Sequence, residues 1–394
     1  MVIDILQISR EAREAKRHFH DVVDGSVGMF IDEEGFVGGL PIVYENLVKM
    51  APEQLIPYPA VDGGQPFKDN VFGWVFQGYE HLIKEHFHTY VVATPGGSGA
   101  IAAVLHNHSN PGDEVLVSDI RWQYDRFAEP ARLKLHHHPL FKGDKFDLEG
   151  FTRELKALCQ IQHRVIVIIN DPCQNPSGYT LTHEEWLGIL EALNRQTANE
   201  IIFLYDIAYI DYSCEVDQRA KAAELVKLAP HVNVFLAFSG SKTFGTYGIR
   251  VGALIGLGRD ADWIAKSRNL VFNFARGTWS CTPTPAIELV NRMLSPEMKP
   301  AFLEGLKRAR ATIIKRGQLF LEQAKAVGLP LVPYRNGFYV IVTCPNSYEV
   351  YQKLTEHRIY AVPVDQGIRM ALCSMSLKDI DGLPARLKKI IFQK

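Results

Sequence analysis

From about residue 90 to residue 258, short apolar, β-branched runs alternate with longer stretches whose apolar positions recur at helical spacing. The runs at 90–94, 114–118, 165–170, 201–206, 234–239 and 251–256 have strand length. Several are too uniformly apolar to present a solvated face, which places them centrally in a mostly parallel sheet. Helical patterns fill the intervals, over 98–106 and over 182–194. The second is opened by Thr182 with Glu185 three residues on, a capping box in which each side chain satisfies the other's backbone N–H. Strand–helix alternation of this kind predicts an α/β domain with helices flanking the sheet. After Lys299 the pattern changes to a long charged helix over 300–327, an apolar run at 338–343, a helix near 347–357 and a further run at 368–374, a smaller α+β unit. The connection lies within 285–308. The expected division is an N-terminal arm with part of a small domain over 1–35, a large domain over 36–290 and a C-terminal small domain over 291–394. No internal repeat or low-complexity linker interrupts it.

Composition narrows the partners. The 394 residues carry 43 basic and 44 acidic side chains, a formal charge of −1, spread along the chain. Such a balance offers no electrostatic footprint for nucleic acid or an anionic membrane, so small molecules or a second copy are expected. The six cysteines, Cys159, Cys173, Cys214, Cys281, Cys344 and Cys373, form no CxxC pair or short-loop framework, which fits reduced thiols in a cytoplasmic protein. The charged N-terminal stretch lacks the apolar core of a signal peptide, and no stretch reaches the roughly 20 apolar residues of a membrane span.

Ligands of α/β sheets bind beyond the carboxyl ends of the strands, where five places carry chemistry. Thr94-Pro95-Gly96-Gly97-Ser98-Gly99-Ala100 runs from a strand into a helix and offers free N–H groups and a hydroxyl to a phosphate, although a glycine turn made for packing explains it equally well. Ser118 to Tyr124 sets Trp122 at a strand end, as a core residue or as a wall for a planar ligand. Asn170-Asp171-Pro172-Cys173-Gln174-Asn175-Pro176-Ser177-Gly178 is denser in amides and prolines than a turn requires. Asp206 ends a buried run with Tyr209 three residues on, an acid next to a phenol or simply a cap. Finally, Lys242 lies within Ser239-Gly240-Ser241-Lys242-Thr243-Phe244-Gly245 and ahead of Arg250, with no acidic residue in the motif to pair with. Desolvation and nearby cations favour a neutral, nucleophilic amine there.

At these residues the chain resembles the fold-type I enzymes of pyridoxal 5'-phosphate (PLP), and more narrowly the class I aspartate and aromatic aminotransferases. The segments VGMFIDEEG (27–35), PYPAVDG (57–63), TPGGSGA, the Trp122 segment, NDPCQNPSG, YDIAY, SGSKTFGTYGIRVG, FARGTWS (274–280) and GIRMAL around Arg369 occur in the family's order across nearly the whole chain. The resemblance implies the fold-type I PLP-dependent transferase fold, with a mostly parallel seven-stranded sheet in a large PLP-binding domain and a smaller α+β domain. It implies that Lys242 holds the cofactor as a Schiff base and that Asp206 pairs with its ring nitrogen. Asn175 and Tyr209 would bond the ring oxygen, and Trp122 would stack on the ring. Gly97, Ser98, Ser239 and Arg250 would hold the phosphate, with Tyr58 reaching across from the other subunit of a homodimer. Arg369 would clamp the substrate α-carboxylate, assisted by Asn175 and the backbone near Gly28.

By the same resemblance the reaction is ping-pong transfer of an amino group between an L-amino acid and a 2-oxo acid such as 2-oxoglutarate, with Lys242 moving the Cα proton. Arg276 stands where aspartate enzymes read a distal carboxylate across the dimer, which favours aspartate and glutamate; aromatic relatives can keep that arginine. Gly277 to Pro283 departs from the aspartate pattern, Asp125 stands where a histidine is usual, and Asn170 replaces another. Two rival readings remain: a C–S lyase using the same cofactor, and a non-catalytic binding protein that retained the fold. His136-His137-His138 is read as solvated loop residues and not a metal site, because neighbours on an extended segment point to opposite faces. The basic clusters at 307–310 and 315–316 are read as the polar face of the long helix.

Overall fold

The computed structural model describes residues 5–214 and 217–392; residues 1–4 of the expected N-terminal arm, 215–216, and 393–394 of the expected C-terminal domain lie outside the described residues. Seven strands form one sheet: β1 (His88–Pro95), β2 (Glu114–Ser118), β3 (Lys134–His138), β4 (Arg164–Asn170), β5 (Glu200–Asp206), β6 (Val232–Ser239) and β7 (Val251–Gly258). Their spatial order is β1-β7-β6-β5-β4-β2-β3. All neighbours are parallel except around β7, which runs antiparallel to both β1 and β6. The uniformly apolar runs lie inside the sheet as their composition requires: β6 is buried at every position, and β5 at all but its first. Removing such a strand from water on both faces stabilises the fold by roughly 1.5–3 kcal/mol per large apolar side chain.

Helices cover both faces. One face packs α1 (Gly96–Asn107) and α4 (Ala261–Thr278) against Val92, Val117, Ile168, Leu204 and Phe235. The other packs α2 (Leu148–Ile161) and α3 (His183–Asn194) against Leu116, Val167, Phe203 and Leu236. Thr182 caps α3 and shares a capping box with Glu185. The C-terminal part holds α5 (Lys299–Val327) and an antiparallel sheet of β8 (Tyr339–Thr343), β9 (Val362–Val364) and β10 (Gly367–Ala371), ordered β8-β10-β9. The N-terminal segment joins this part: Val23-Asp24 pairs with Ile359-Tyr360, and Ile8, Ala12 and Val22 pack on Tyr360 and Val362.

Two expectations are corrected. His136, His137 and His138 are not loop residues; they end β3, the edge strand paired with β2. Their run was too polar to be recognised because an edge strand is half solvated. His138 is fully buried, and His136 lies between Glu114 (2.9 Å) and Glu154 (3.0 Å). Arg316 does not belong to a solvated helix face either. It is fully buried, ion-paired to Glu33 at 2.7 Å, and donates to the carbonyls of Ile31 and Cys373, both at 2.8 Å. A guanidinium placed inside the chain this way needs every donor satisfied, which the backbone around it provides.

All six cysteines are free thiols; Cys173, Cys344 and Cys373 are buried. Among the described residues no helix is long and apolar enough to cross a membrane, and no group of three or more His, Cys, Asp or Glu could hold a metal ion.

Candidate active site

A cleft of about 200 Å³ opens beyond the carboxyl ends of the parallel strands. Nine of the residues singled out from the sequence line it: Gly97, Ser98, Trp122, Asn175, Asp206, Tyr209, Ser239, Lys242 and Arg250. They come from five separate stretches of chain and meet because each follows a strand of the same sheet.

One end of the cleft is built for an anion. The chain turns from β1 into α1 at Gly96, whose φ of +73° and close approach to Arg250 leave no room for a side chain; a Cβ there would lie 2.6 Å from Nη2. The turn puts Gly97 and Ser98 in the first turn of a twelve-residue helix, where the N–H groups have no intrahelical acceptor. Opposite stand Ser239, at the end of β6, and Arg250, held by bonds to Ser241 Oγ (3.3 Å), Tyr247 O (3.0 Å) and Pro95 O (3.3 Å).

The other end holds a buried acid. Asp206 accepts from the Tyr124 hydroxyl at 2.8 Å and from the Ala208 N–H at 3.2 Å, and among the described residues it pairs with no cation. Burial pushes its carboxyl up to about 6 against these two bonds, which favour the anion. Asn175 donates to the Tyr209 hydroxyl at 3.4 Å, and its own Oδ1 is buried without a partner among the described residues. Asn170 donates to the Asp206 carbonyl and accepts from the Asn175 N–H, which ties two of the stretches together.

Lys242 sits on a short turn after β6. Its Nζ donates to Gly28 O at 2.9 Å and is surrounded by the rings of Tyr209, Tyr247 and Phe338, with centroids 4.6–5.6 Å away. Burial, helped by Arg250 and Arg369, pushes the amine down to about 8. Arg369, on β10, is buried, stacks on Tyr339 (4.6 Å) and donates to Ser26 O at 2.8 Å; its Nε has no partner among the described residues. Gly28 must be glycine, since a Cβ would fall 1.7 Å from the Tyr339 hydroxyl.

Four expected residues do not line the cleft of this chain. Gly28 and Arg369 border it through Lys242 and Tyr339. Tyr58 and Arg276 lie away from it: Tyr58 is 93% exposed, and Arg276 is exposed at the end of α4, donating to Ser280 Oγ. Ser241 and Tyr247, which line the cleft, and Tyr124, which bonds Asp206, stood inside the sequence motifs without an assigned role, and Tyr339, which also lines the cleft, stood outside them. Tyr339, within an apolar run, reads as core, and nothing in the spacing around Ser241, Tyr247 or Tyr124 shows which way their hydroxyls turn.

The donor set fits PLP. A helix N-terminus with an arginine and hydroxyls suits a phosphate, a buried carboxylate lacking a cation suits a protonated ring nitrogen, an indole suits a flat ring, and a lysine of lowered proton affinity suits an aldehyde.

The family model described as "Aminotransferase class I and II" matches residues 43–387. Among curated proteins, an aromatic-amino-acid aminotransferase of Pseudomonas aeruginosa is 29% identical over 304 residues, covering 74% of this chain and 73% of that protein. An aspartate aminotransferase from the same organism is 26% identical, covering 90% and 89%. Among solved structures, an aminotransferase from Anaerococcus prevotii superposes with a TM-score of 0.94 at 25% identity, covering 100% of this chain and 97% of that one.

Proposed function

The chain belongs to the class I and II aminotransferase family and is a PLP-dependent aminotransferase acting on amino acid and 2-oxo acid substrates; from that premise we propose how its residues divide the work. The reading rests on one observation above all: Lys242, with lowered proton affinity, and Asp206, buried without a cation, face the same cleft.

When bound, PLP withdraws electrons from the Cα of the substrate amine attached to it. Lys242 would hold the cofactor covalently and, as a free amine, would carry the proton leaving Cα; the ring cage around Nζ keeps the amine desolvated and so available as a base. Asp206 would keep the ring nitrogen protonated. Trp122 would lie against the ring, Asn175 and Tyr209 would bond its oxygen, and Gly97, Ser98, Ser239 and Arg250 would hold the phosphate, with Ser241 supporting Arg250. Arg369 takes the substrate α-carboxylate, Tyr339 fixing the plane of the guanidinium from one side. Amino acid and 2-oxo acid then occupy the same cleft in turn, which is ping-pong exchange.

We assign Tyr58 and Arg276 to the cleft of a partner subunit. The Thr284 hydroxyl donates to Pro57 O at 2.5 Å, which sets the Tyr58 loop beside the chain that follows α4. The Tyr58 loop exposes Ile56 (78%) and α4 itself exposes Leu270 and Phe272, apolar surface that a second copy would cover. Arg276 then reads the distal carboxylate of aspartate or glutamate. A second reading, an aromatic substrate, is favoured by the apolar lining of Ile101, Trp122, Tyr247 and Tyr339 and by relatives named for aromatic amino acids. Elimination at a C–S bond and a purely binding role find no support in these relatives. Arg276→Ala decides between the substrates: half-reactions followed by cofactor absorbance should lose about 2–5 kcal/mol with glutamate and little with phenylalanine. Equal losses would remove Arg276 from substrate choice.

A further inference from the structure

We propose that Tyr124 is a positioning residue that, through Asp206, decides how firmly the ring nitrogen of the bound cofactor keeps its proton. The inference rests on the reading of Asp206 given above.

Tyr124 is buried, and its hydroxyl reaches Asp206 Oδ2 at 2.8 Å. Among the described residues the remaining donor to this carboxylate is the Ala208 N–H, on Oδ1. Asn170, the polar neighbour on β4, bonds only backbone groups of Asp206 and Asn175. The other titratable or charged groups facing the cleft are Tyr209 after β5, Lys242, Tyr247 and Arg250 after β6, and Tyr339 on β8; none bonds Asp206. So a single side chain, a neutral phenol, offsets the desolvation that raises the acid's proton affinity. The phenol does not itself ionise near neutral pH, because burial and the adjacent carboxylate push it well above its ordinary 10.

Geometry couples this donor to the ring-stacking wall. The Tyr124 N–H donates to Trp122 O at 2.7 Å, and the two rings meet edge to face at 5.8 Å. One tight turn therefore supplies both a wall for the ring and the hydroxyl behind the acid. Without that hydroxyl, Asp206 becomes the better base and draws the proton away from the ring nitrogen.

The test uses holoenzyme reconstituted with PLP carrying ¹⁵N in its ring, with the nitrogen's NMR shift followed against pH. In wild type the nitrogen should be protonated. In Tyr124→Phe the nitrogen-to-Asp206 proton ratio should fall by roughly tenfold, the scale of one hydrogen bond to a charged group, seen as a ¹⁵N shift displaced toward the unprotonated value on the plateau below the titration. Replacing Tyr124 by 3,5-difluorotyrosine, a stronger donor of the same shape, should move that plateau the opposite way. A structural role alone would lower thermal stability and leave the ¹⁵N curve in place, and that result overturns the proposal. If the phenylalanine variant does not fold, an unshifted curve in the fluorinated protein overturns it instead. A wild-type nitrogen found unprotonated would sink the assignment of Asp206 and with it the premise, an outcome distinct from failure of Tyr124 alone.

Discussion

A lysine acts as a nucleophile near neutral pH only when its surroundings penalise the ammonium form. Lys242 meets that condition through burial first and two nearby guanidinium groups second, which together push it down to about 8. Covalent uptake of PLP by cofactor-stripped protein should therefore accelerate as pH rises through about 8, seen as the growth of the cofactor's visible absorbance. A rate indifferent to pH across that range would contradict the lowered proton affinity. His136 shows the opposite behaviour. Burial disfavours its charge, but bonds to Glu114 and Glu154 outweigh it and raise the imidazole above its ordinary 6.5. A raised folded value means that the stability contributed is fully present below about 6.5 and disappears as pH rises through the folded value. Urea midpoints of wild type and His136→Gln should accordingly differ at slightly acid pH and converge at alkaline pH; a constant gap would show that packing alone matters.

At the scale of elements, the central strands follow from composition, because a run apolar on both sides is stable only where helices cover both faces. The edge strand β3 does not, since its Lys134 and three histidines carry no apolar period. The long helix α5 was legible from its length and charge, but the destination of Arg316 was not. Its guanidinium joins α5 to Ile31 and Glu33 and to the carbonyls of Leu372 and Cys373, just beyond Arg369. Arg316→Ala leaves these acceptors unpaired and should destabilise the fold by about 3–5 kcal/mol, measured by chemical denaturation. It should also raise KM for the amino acid more than it lowers kcat, since the strand bearing Arg369 loses its anchor. A loss of stability below about 1 kcal/mol would mean that solvent reaches the pair.

For the whole molecule, the shared-site arrangement proposed above makes a prediction that no monomer could satisfy. Lys242→Ala lacks the amine and Arg276→Ala lacks the distal clamp, so each alone should be impaired with glutamate. Mixed and refolded together, they should recover about a quarter of wild-type activity, because half the dimers carry both chains and one of their two sites is intact. No recovery, with dimers demonstrated by light scattering, would place Arg276 outside the partner's site. By itself the sequence determined the α/β class, the strands of the sheet interior and the short motifs after them, because apolar periodicity and local backbone needs are properties of neighbouring residues. It could not reveal that Tyr124 stands behind Asp206, that Tyr339 stacks on Arg369 or that Arg316 turns inward. Those contacts join positions 30 to 285 residues apart in the chain; their partners are chosen by how the layers pack, and only the tertiary structure decides that.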